Sequence, residues 1–304
     1  MQPVSIARSR IENAGVLDSA RTQPEVRPLR IGAIELSGRE GSATRSVRIQ
    51  LEKAPFPVTL LRIGLTDQQP AQLGHGSLPT FDQSIAAGPL DGLIVTDDSS
   101  DHHSFLRKRW WGELSEILWY ARAFVPSTLG LSTGGLILAK MLGLEPTPLP
   151  RRLFGLFPLL SLDLERAPVS GGGNVFFAPQ DRMFGIDAEA LKQAEREGRV
   201  SLLAFSREAG YSIFESEDRR YVAHLGLPAA DPDVLRLAGT ARSERGSIPS
   251  VEQSPWNVEV PRLRALARAH RDSFFSDWLT LVRDPTRLSR DTRPPAAGAA
   301  RRTG

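Results

Sequence analysis

Short runs of apolar residues alternate with longer segments of helical period through the first half of the chain. The apolar runs cover residues 31–36, 58–63, 93–96 and 127–131. Strands and helices that alternate in this way build a parallel sheet covered by helices on both faces. The pattern therefore predicts an α/β fold with a mostly parallel sheet.

The clearest helical segment covers residues 112–122. The residues that recur in it at the spacing of one helix face are Leu114, Ile117, Leu118 and Ala121. That face is expected to pack on the sheet. Two further helices are predicted, one beginning just after Ser132 and one covering residues 261–283.

The pattern changes in the second half of the chain, where short strand-like pieces follow one another closely. They cover residues 175–178, 201–205, 211–215 and 221–226. Charged turns separate them, which is typical of antiparallel hairpins. We therefore expect hairpins at the edge of the sheet.

Both ends of the chain differ from its middle. Residues 1–26 show no clear period, and residues 286–304 are rich in Pro, Ala, Gly and Arg. Such segments bury too little apolar surface to become ordered alone. We therefore expect one α/β domain over residues 27–285 between two loose ends.

Composition narrows the classes of function. The 304 residues are 40% hydrophobic and 24% charged, with a formal net charge of +3. This suits one main domain and argues against nucleic acid as a partner, because much of the basic excess lies near the chain ends. The absence of cysteine excludes disulfides and a thiol nucleophile. No run is long and apolar enough to span a bilayer, so we expect a cytoplasmic protein with no membrane partner.

The sharpest local motif is Gly130-Leu-Ser132-Thr-Gly134 between a predicted strand and a predicted helix. In this setting a G-x-S-x-G motif forms a strained turn that exposes the serine hydroxyl, and the helix start offers N–H groups to an oxyanion. The alternative is that Ser132 only caps the helix and the glycines only permit close packing. Both interpretations remain open on the sequence.

A serine nucleophile needs a base, and the chain has five histidines. His224 lies inside a strand-like run, whereas His102 and His103 follow acidic residues in a loop after the third predicted strand. Adjacent histidines in one loop do not easily bind the same ion, and no helical ligand spacing supports them. We therefore expect no metal site.

The chain resembles the homoserine O-acyltransferases over nearly its whole length, from Arg27 to about Arg283. The segments that carry the likeness are Arg27-Pro-Leu-Arg, Asp91-Gly-Leu-Ile-Val-Thr, Trp111, Val125-Pro-Ser-Thr-Leu, Phe177-Ala-Pro before Arg182, Asp218-Arg-Arg, Arg268-Ala-His270 and Phe275-Ser-Asp277-Trp278-Leu279. The resemblance implies a class I glutamine-amidotransferase-like fold, a homodimer to which Trp110 and Trp111 could contribute, and acyl-CoA as co-substrate with no bound cofactor.

The same resemblance places three substitutions at the catalytic positions. Ser132 stands where the family has its nucleophilic cysteine. Leu227 stands at the position of the histidine base, and Ala229 at that of the glutamate that orients it. Because both partners are apolar here, the family mechanism cannot run unchanged.

The resemblance also identifies residues around the substrate. Arg152 takes the place of a lysine and Asp181 that of a substrate-contacting serine, while Arg182 follows directly. Asp97, followed by Asp98, lies in the loop of the oxyanion region, and Thr133 follows the nucleophile position. Two anionic residues there make succinyl-CoA an awkward donor.

Two hypotheses follow. In the first, Ser132 accepts an acyl group, His224 or the 102–103 pair replaces the base, and Arg152 and Arg182 hold the carboxylate of a hydroxyl-bearing amino acid. In the second, the chain is catalytically silent and binds a small ligand or an active partner protein. An esterase on an α/β-hydrolase sheet is a third possibility, but the family segments argue against it.

Overall fold

The computed structural model describes residues 27–37, 42–66, 78–97, 105–163, 174–232 and 261–284. The segments predicted to be loose, 1–26 and 286–304, lie outside these ranges. The described strands and helices all fall within the predicted domain, 27–285. That this stretch is a single domain stays a prediction.

Nine strands in the described ranges form one sheet. They are β1 (Leu29–Glu35), β2 (Val58–Ile63), β3 (Gly92–Thr96), β4 (Ser127–Leu131), β5 (Pro146–Ser161), β6 (Val175–Ile186), β7 (Val200–Ser206), β8 (Gly210–Ser216) and β9 (Tyr221–His224). Their spatial order is β2-β1-β3-β4-β9-β8-β7-β5-β6. In this spatial order, the first five strands, β2, β1, β3, β4 and β9, run parallel. Every pairing that follows, from β9–β8 to β5–β6, is antiparallel. The predicted α/β class and the hairpins beside a parallel sheet are both confirmed.

Helices cover both faces of the sheet, as predicted. They are α1 (Ser42–Leu51), α2 (Phe81–Ala86), α3 (Trp111–Phe124), α4 (Thr133–Met141), α5 (Ala188–Arg196) and α6 (Pro261–Arg283). One apolar cluster joins the sheet to α2, α3, α4 and α5, and a second joins it to α1 and α6. The predicted face of α3 is buried. Within the described ranges, no helix combines the length and apolar character that crossing a membrane requires.

Strand β5 is longer and less regular than the sequence suggests. Its first part contains three prolines at alternate positions, Pro146, Pro148 and Pro150. Proline cannot donate to a sheet ladder, and the register against β6 shifts between Pro148 and Leu153. The prolines hid the strand from pattern-based prediction.

The carboxyl ends of the parallel strands meet at one edge of the sheet. The register places Glu35 beside Thr96, and Leu131 beside His224. Polar residues that follow these strands are therefore brought together, although they are far apart in the chain. In open parallel sheets this edge is where ligands bind.

Candidate active site

Ser132 forms a strained turn between β4 and α4. Its backbone has φ of 55° and ψ of −117°, in a region that only glycine adopts without strain. A non-glycine residue held there costs about 1–3 kcal/mol. Its hydroxyl makes no capping hydrogen bond to α4. The geometry therefore favours the nucleophile-elbow interpretation over the helix-cap one.

The flanking glycines are required by close backbone contacts. A Cβ on Gly130 would collide with the backbone of Gly134, and a Cβ on Gly134 would collide with the carbonyl group of Val95. The turn therefore presses directly against the end of β3. This explains both glycines of the G-x-S-x-G motif.

Two carbonyl groups at the end of β9 hold the elbow. The N–H of Ser132 donates to the oxygen of His224 at 2.9 Å and to that of Gly226 at 3.1 Å. The carbonyl of Ser132 in turn accepts from the N–H groups of Gly135 and Leu136 in α4. The residue is fixed on both sides and is only 4% exposed.

The serine hydroxyl has no hydrogen-bond partner among the residues that the structure describes. It lies at the start of α4, where the aligned peptide dipoles favour negative charge. Thr133 and Asp97, the predicted oxyanion-region residues, are buried at this edge. Asp98, His102 and His103 fall outside the described ranges.

The ring nitrogens of His224 contact groups other than Ser132 Oγ, which does not support the sequence-based expectation of a substitute base. Its Nδ1 accepts the N–H of Gly226 at 3.0 Å, and its Nε2 lies 3.4 Å from Nε2 of His270. Both ring nitrogens are thus occupied. The side chain points to the α6 face because it follows Val222 by two residues on β9.

The surroundings of His224 keep it neutral. The ring is fully buried and packs edge-on against Phe274, with the ring centroids 5.1 Å apart. Burial lowers its pKa well below the ordinary value. Repulsion from Arg182 and from the charged form of His270 lowers the pKa further. A histidine that is neutral and fully paired is a structural element of this edge rather than a base for Ser132.

The two positions at which the resemblance expects a base and its orienting residue contain only apolar groups. Leu227 is half-buried, and its N–H donates to the carbonyl of Pro179 at 2.9 Å. Ala229 is buried in the apolar cluster on the α6 side of the sheet. Neither side chain can take or donate a proton.

Arg152 and Asp181 form an ion pair across the β5–β6 hairpin. The Nε of Arg152 donates to Oδ1 of Asp181 at 2.7 Å, and Nη2 donates to the same oxygen. Both side chains are partly exposed. The structure thus joins two predicted substrate-binding residues, and each neutralises the other.

Arg182 is not available to a substrate carboxylate, and the expectation that it holds one is corrected. It is 2% exposed. Its donors reach Oε1 of Gln180 at 3.0 Å and the carbonyl groups of Phe184 at 2.9 Å and Ala209 at 2.5 Å. Burial lowers its pKa to about 10. It links β6 to the turn before β8.

Sequence reasoning missed His270 and Gln180 as residues of this edge. His270 is 1% exposed and stacks on Phe176 at 4.0 Å between ring centroids. Gln180 is fully buried against Gly226. The signals available for His270 were its position on the buried side of the predicted last helix and its place in the Arg268-Ala-His270 segment.

Comparison with known proteins gives concordant results. The family model described as homoserine O-succinyltransferase matches residues 7–288. A homoserine O-acetyltransferase of Bacillus pumilus is 28% identical over 74% of this chain and 75% of its own length. A homoserine O-succinyltransferase of Proteus mirabilis is 26% identical over 89% of both chains.

Solved structures support the fold. A glutamine amidotransferase from Thermotoga maritima matches with a TM-score of 0.56 and 11% identity, over 85% of this chain and 100% of its own. One from Methylobacillus flagellatus matches with a TM-score of 0.56 and 16% identity, over 84% and 94%. The class I glutamine-amidotransferase-like fold implied by the sequence is therefore confirmed.

The strain at Ser132 predicts an order of stability between two variants. Ser132→Gly relieves the positive φ, although glycine's freedom in the unfolded chain offsets about 0.4–1 kcal/mol of the gain. Ser132→Ala removes the hydroxyl but keeps the strain. We expect the free energy of unfolding in urea to be higher for the glycine variant by about 1 kcal/mol. Equal values would show that the strain is no larger than the roughly 0.4–1 kcal/mol that glycine's freedom in the unfolded chain costs.

The neutral state of His224 predicts a stability that falls in acid. Because its pKa is lower in the folded than in the unfolded protein, the unfolded chain binds the proton first as the pH drops below about 6.5. The stabilisation that comes from the neutral His224 is complete above that pH. Below it, the free energy of unfolding falls by at most about 1.4 kcal/mol per pH unit. Urea unfolding of wild type and His224→Asn from about pH 8 to about pH 5 tests this. Parallel curves would contradict it.

Proposed function

This chain belongs to the homoserine O-succinyltransferase family, and we propose that it transfers an acyl group from an acyl-CoA to the hydroxyl group of a small amino acid of the homoserine or serine type. Ser132 would carry the acyl group in place of the family's cysteine. The observation that supports this most is the strained elbow, which holds the hydroxyl at the start of α4 with φ of 55°.

The strain itself argues for a use of the hydroxyl. Glycine would occupy this backbone conformation at lower cost, since strain of this kind is worth about 1–3 kcal/mol. The hydroxyl offsets none of that cost, because it makes no hydrogen bond within the described part of the chain. A structural role therefore does not account for a serine here, whereas an acyl-accepting role does.

The proposed reaction has two balanced steps. Ser132 Oγ attacks the thioester carbonyl, the C–S bond breaks, and the CoA thiolate leaves with the hydroxyl proton. The hydroxyl of the amino acid then attacks the serine ester, and its proton returns to Ser132 as the product ester leaves. In both steps the oxyanion would face the start of α4, where N–H groups and the helix dipole stabilise it.

Charge at the site supports a choice of substrates. Asp97 directly follows β3 and is buried, and in its ionised form it would disfavour a donor with a free carboxylate. We therefore propose an uncharged acyl group such as acetyl. The Arg152–Asp181 pair presents both charges on partly exposed side chains, which suits the carboxylate and ammonium groups of an amino acid.

The second candidate is a silent family member that binds a small ligand or supports an active partner protein. Leu227 and Ala229 favour it, because a general base contributes about 10²–10⁴-fold to catalysis and neither residue can act as one. His224 does not compensate, since its two nitrogens are occupied.

The homodimer implied by the family resemblance stays a prediction. Trp110 and Trp111, which the sequence suggests as contributors, are half-buried and pack against the core on the α3 side of the sheet. Trp111 also contacts Phe105, with the ring centroids 5.3 Å apart. These contacts give both tryptophans a role within the subunit.

Acylation of Ser132 is the direct test. Wild type and Ser132→Ala are incubated with acetyl-CoA and with longer and carboxylated acyl-CoAs, and intact masses are compared. We expect an acetyl adduct on wild type that the alanine variant lacks, and less adduct from succinyl-CoA. If none of the donors leaves an adduct and none is consumed with homoserine or serine present, the silent candidate stands.

Restoring the family's groups tests the same site from the opposite direction. Ser132→Cys supplies a thiol. Adding Leu227→His returns a base at a half-buried position. Ala229 is left unchanged because it is buried in an apolar cluster. We expect the double variant to form a thioester about 10²-fold faster than Ser132→Cys with Leu227→Gln, the matched control. Equal rates would show that residue 227 does not face the nucleophile.

A further inference from the structure

A chain of contacts links helix α6 to the elbow through the end of β9. His270 on α6 lies 3.4 Å from His224 between Nε2 atoms. Nδ1 of His224 accepts from the N–H of Gly226 at 3.0 Å. The carbonyl groups of His224 and Gly226 then both accept from the N–H of Ser132, at 2.9 Å and 3.1 Å.

These contacts allow only one arrangement of protons. Because the Gly226 N–H is a donor, Nδ1 of His224 must be unprotonated. The proton of the neutral ring is therefore on Nε2, which donates to Nε2 of His270. A proton on Nδ1 of His224 would make it a donor facing the N–H donor of Gly226. A proton on Nε2 of His270 would likewise face the donor Nε2 of His224, 3.4 Å away.

Within the described ranges, the strand and ring neighbours of the two histidines are apolar. On the neighbouring strands, Leu131 of β4 and Ile213 of β8 lie in register with His224. Phe274 and Phe176 contact the two rings from α6 and β6. The charged group that acts on His224 from β6 is Arg182, which has the same sign. Arg271, next to His270 on α6, is paired with Asp272 at 2.9 Å and with Asp231 at 3.7 Å.

We infer that His224 is a positioning residue for Ser132, and that His270 fixes the tautomer in which it acts. The ring closes the turn at Gly226, and this turn sets the two carbonyl groups that keep Ser132 at positive φ. Protonation of the pair opens the turn and releases the elbow. The consequence for acyl transfer rests on the proposed function, but the effect on the backbone does not.

Matched variants of His224 separate the acceptor from the ring. His224→Asn keeps an oxygen that can accept from the N–H two residues later, whereas His224→Leu keeps apolar volume and loses the acceptor. His270→Phe keeps the stacking on Phe176 and removes the nitrogen that fixes the tautomer. Amide hydrogen exchange is followed by NMR as protection factors of Ser132 and Gly226, relative to those of β3.

In His224→Leu we expect the relative protection of both amides to fall about tenfold or more, and in His224→Asn to stay within about threefold of wild type. Lowering the pH from about 7.5 to about 5 should reduce it in wild type but not in His224→Asn. In His270→Phe, the pH at which the relative protection falls should differ from that in wild type. A uniform loss across β3, β4 and β9 in His224→Leu, or an unchanged Ser132 amide, would overturn the inference.

The acyl-adduct assay keeps this inference distinct from the proposed function. If wild type forms the adduct, the rate of adduct formation should fall in His224→Leu by about the same factor as the protection of the Ser132 amide. The rate should recover in His224→Asn. If wild type forms no adduct, the proposed function fails, and the exchange measurements still decide whether His224 positions the elbow.

Discussion

The shared N–H of Ser132 is the interaction on which the candidate site depends. Two carbonyl groups from the end of β9 accept it, at 2.9 Å and 3.1 Å, and they hold a serine where glycine would be less strained. Such strain persists only where several surrounding contacts together hold the residue in the strained conformation. The glycines at 130 and 134 serve the same purpose, because they let the turn press against β3 and α4.

The position of β9 explains how one strand controls the elbow. It is the last parallel strand of the sheet and the first with an antiparallel neighbour. The loop that follows it therefore begins beside Ser132, with Leu227 and Ala229 at its start. Residues 227 and 229, to which the resemblance assigns the base and its orienting acid, both follow β9, so substitutions there leave the strand pairing intact. Fold and reaction are thus separable at this edge.

The sequence reveals local features of this site better than its long-range contacts. The strand–turn–helix setting of the G-x-S-x-G motif could be predicted because its residues lie close together in the chain, although the role of Ser132 stayed open. The buried face of α3 could be predicted because its residues repeat within eleven positions. The contact between His224 and His270 joins residues 46 apart in the chain, and no local pattern reports it. The Arg152–Asp181 pair similarly depends on the register of β5, whose prolines conceal the strand.

If Ser132 accepts an acyl group as proposed, the apolar residues at 227 and 229 would both slow its acylation and preserve the product. An oxygen ester is less reactive than a thioester, and its hydrolysis needs a base to activate water just as its formation needs one to activate Ser132. With leucine and alanine at 227 and 229, neither step has that help from these positions. Acyl groups on Ser132 would therefore form slowly and remain long. Under the proposed function, the protein would therefore be a slow catalyst whose acyl form persists whenever the acceptor is scarce.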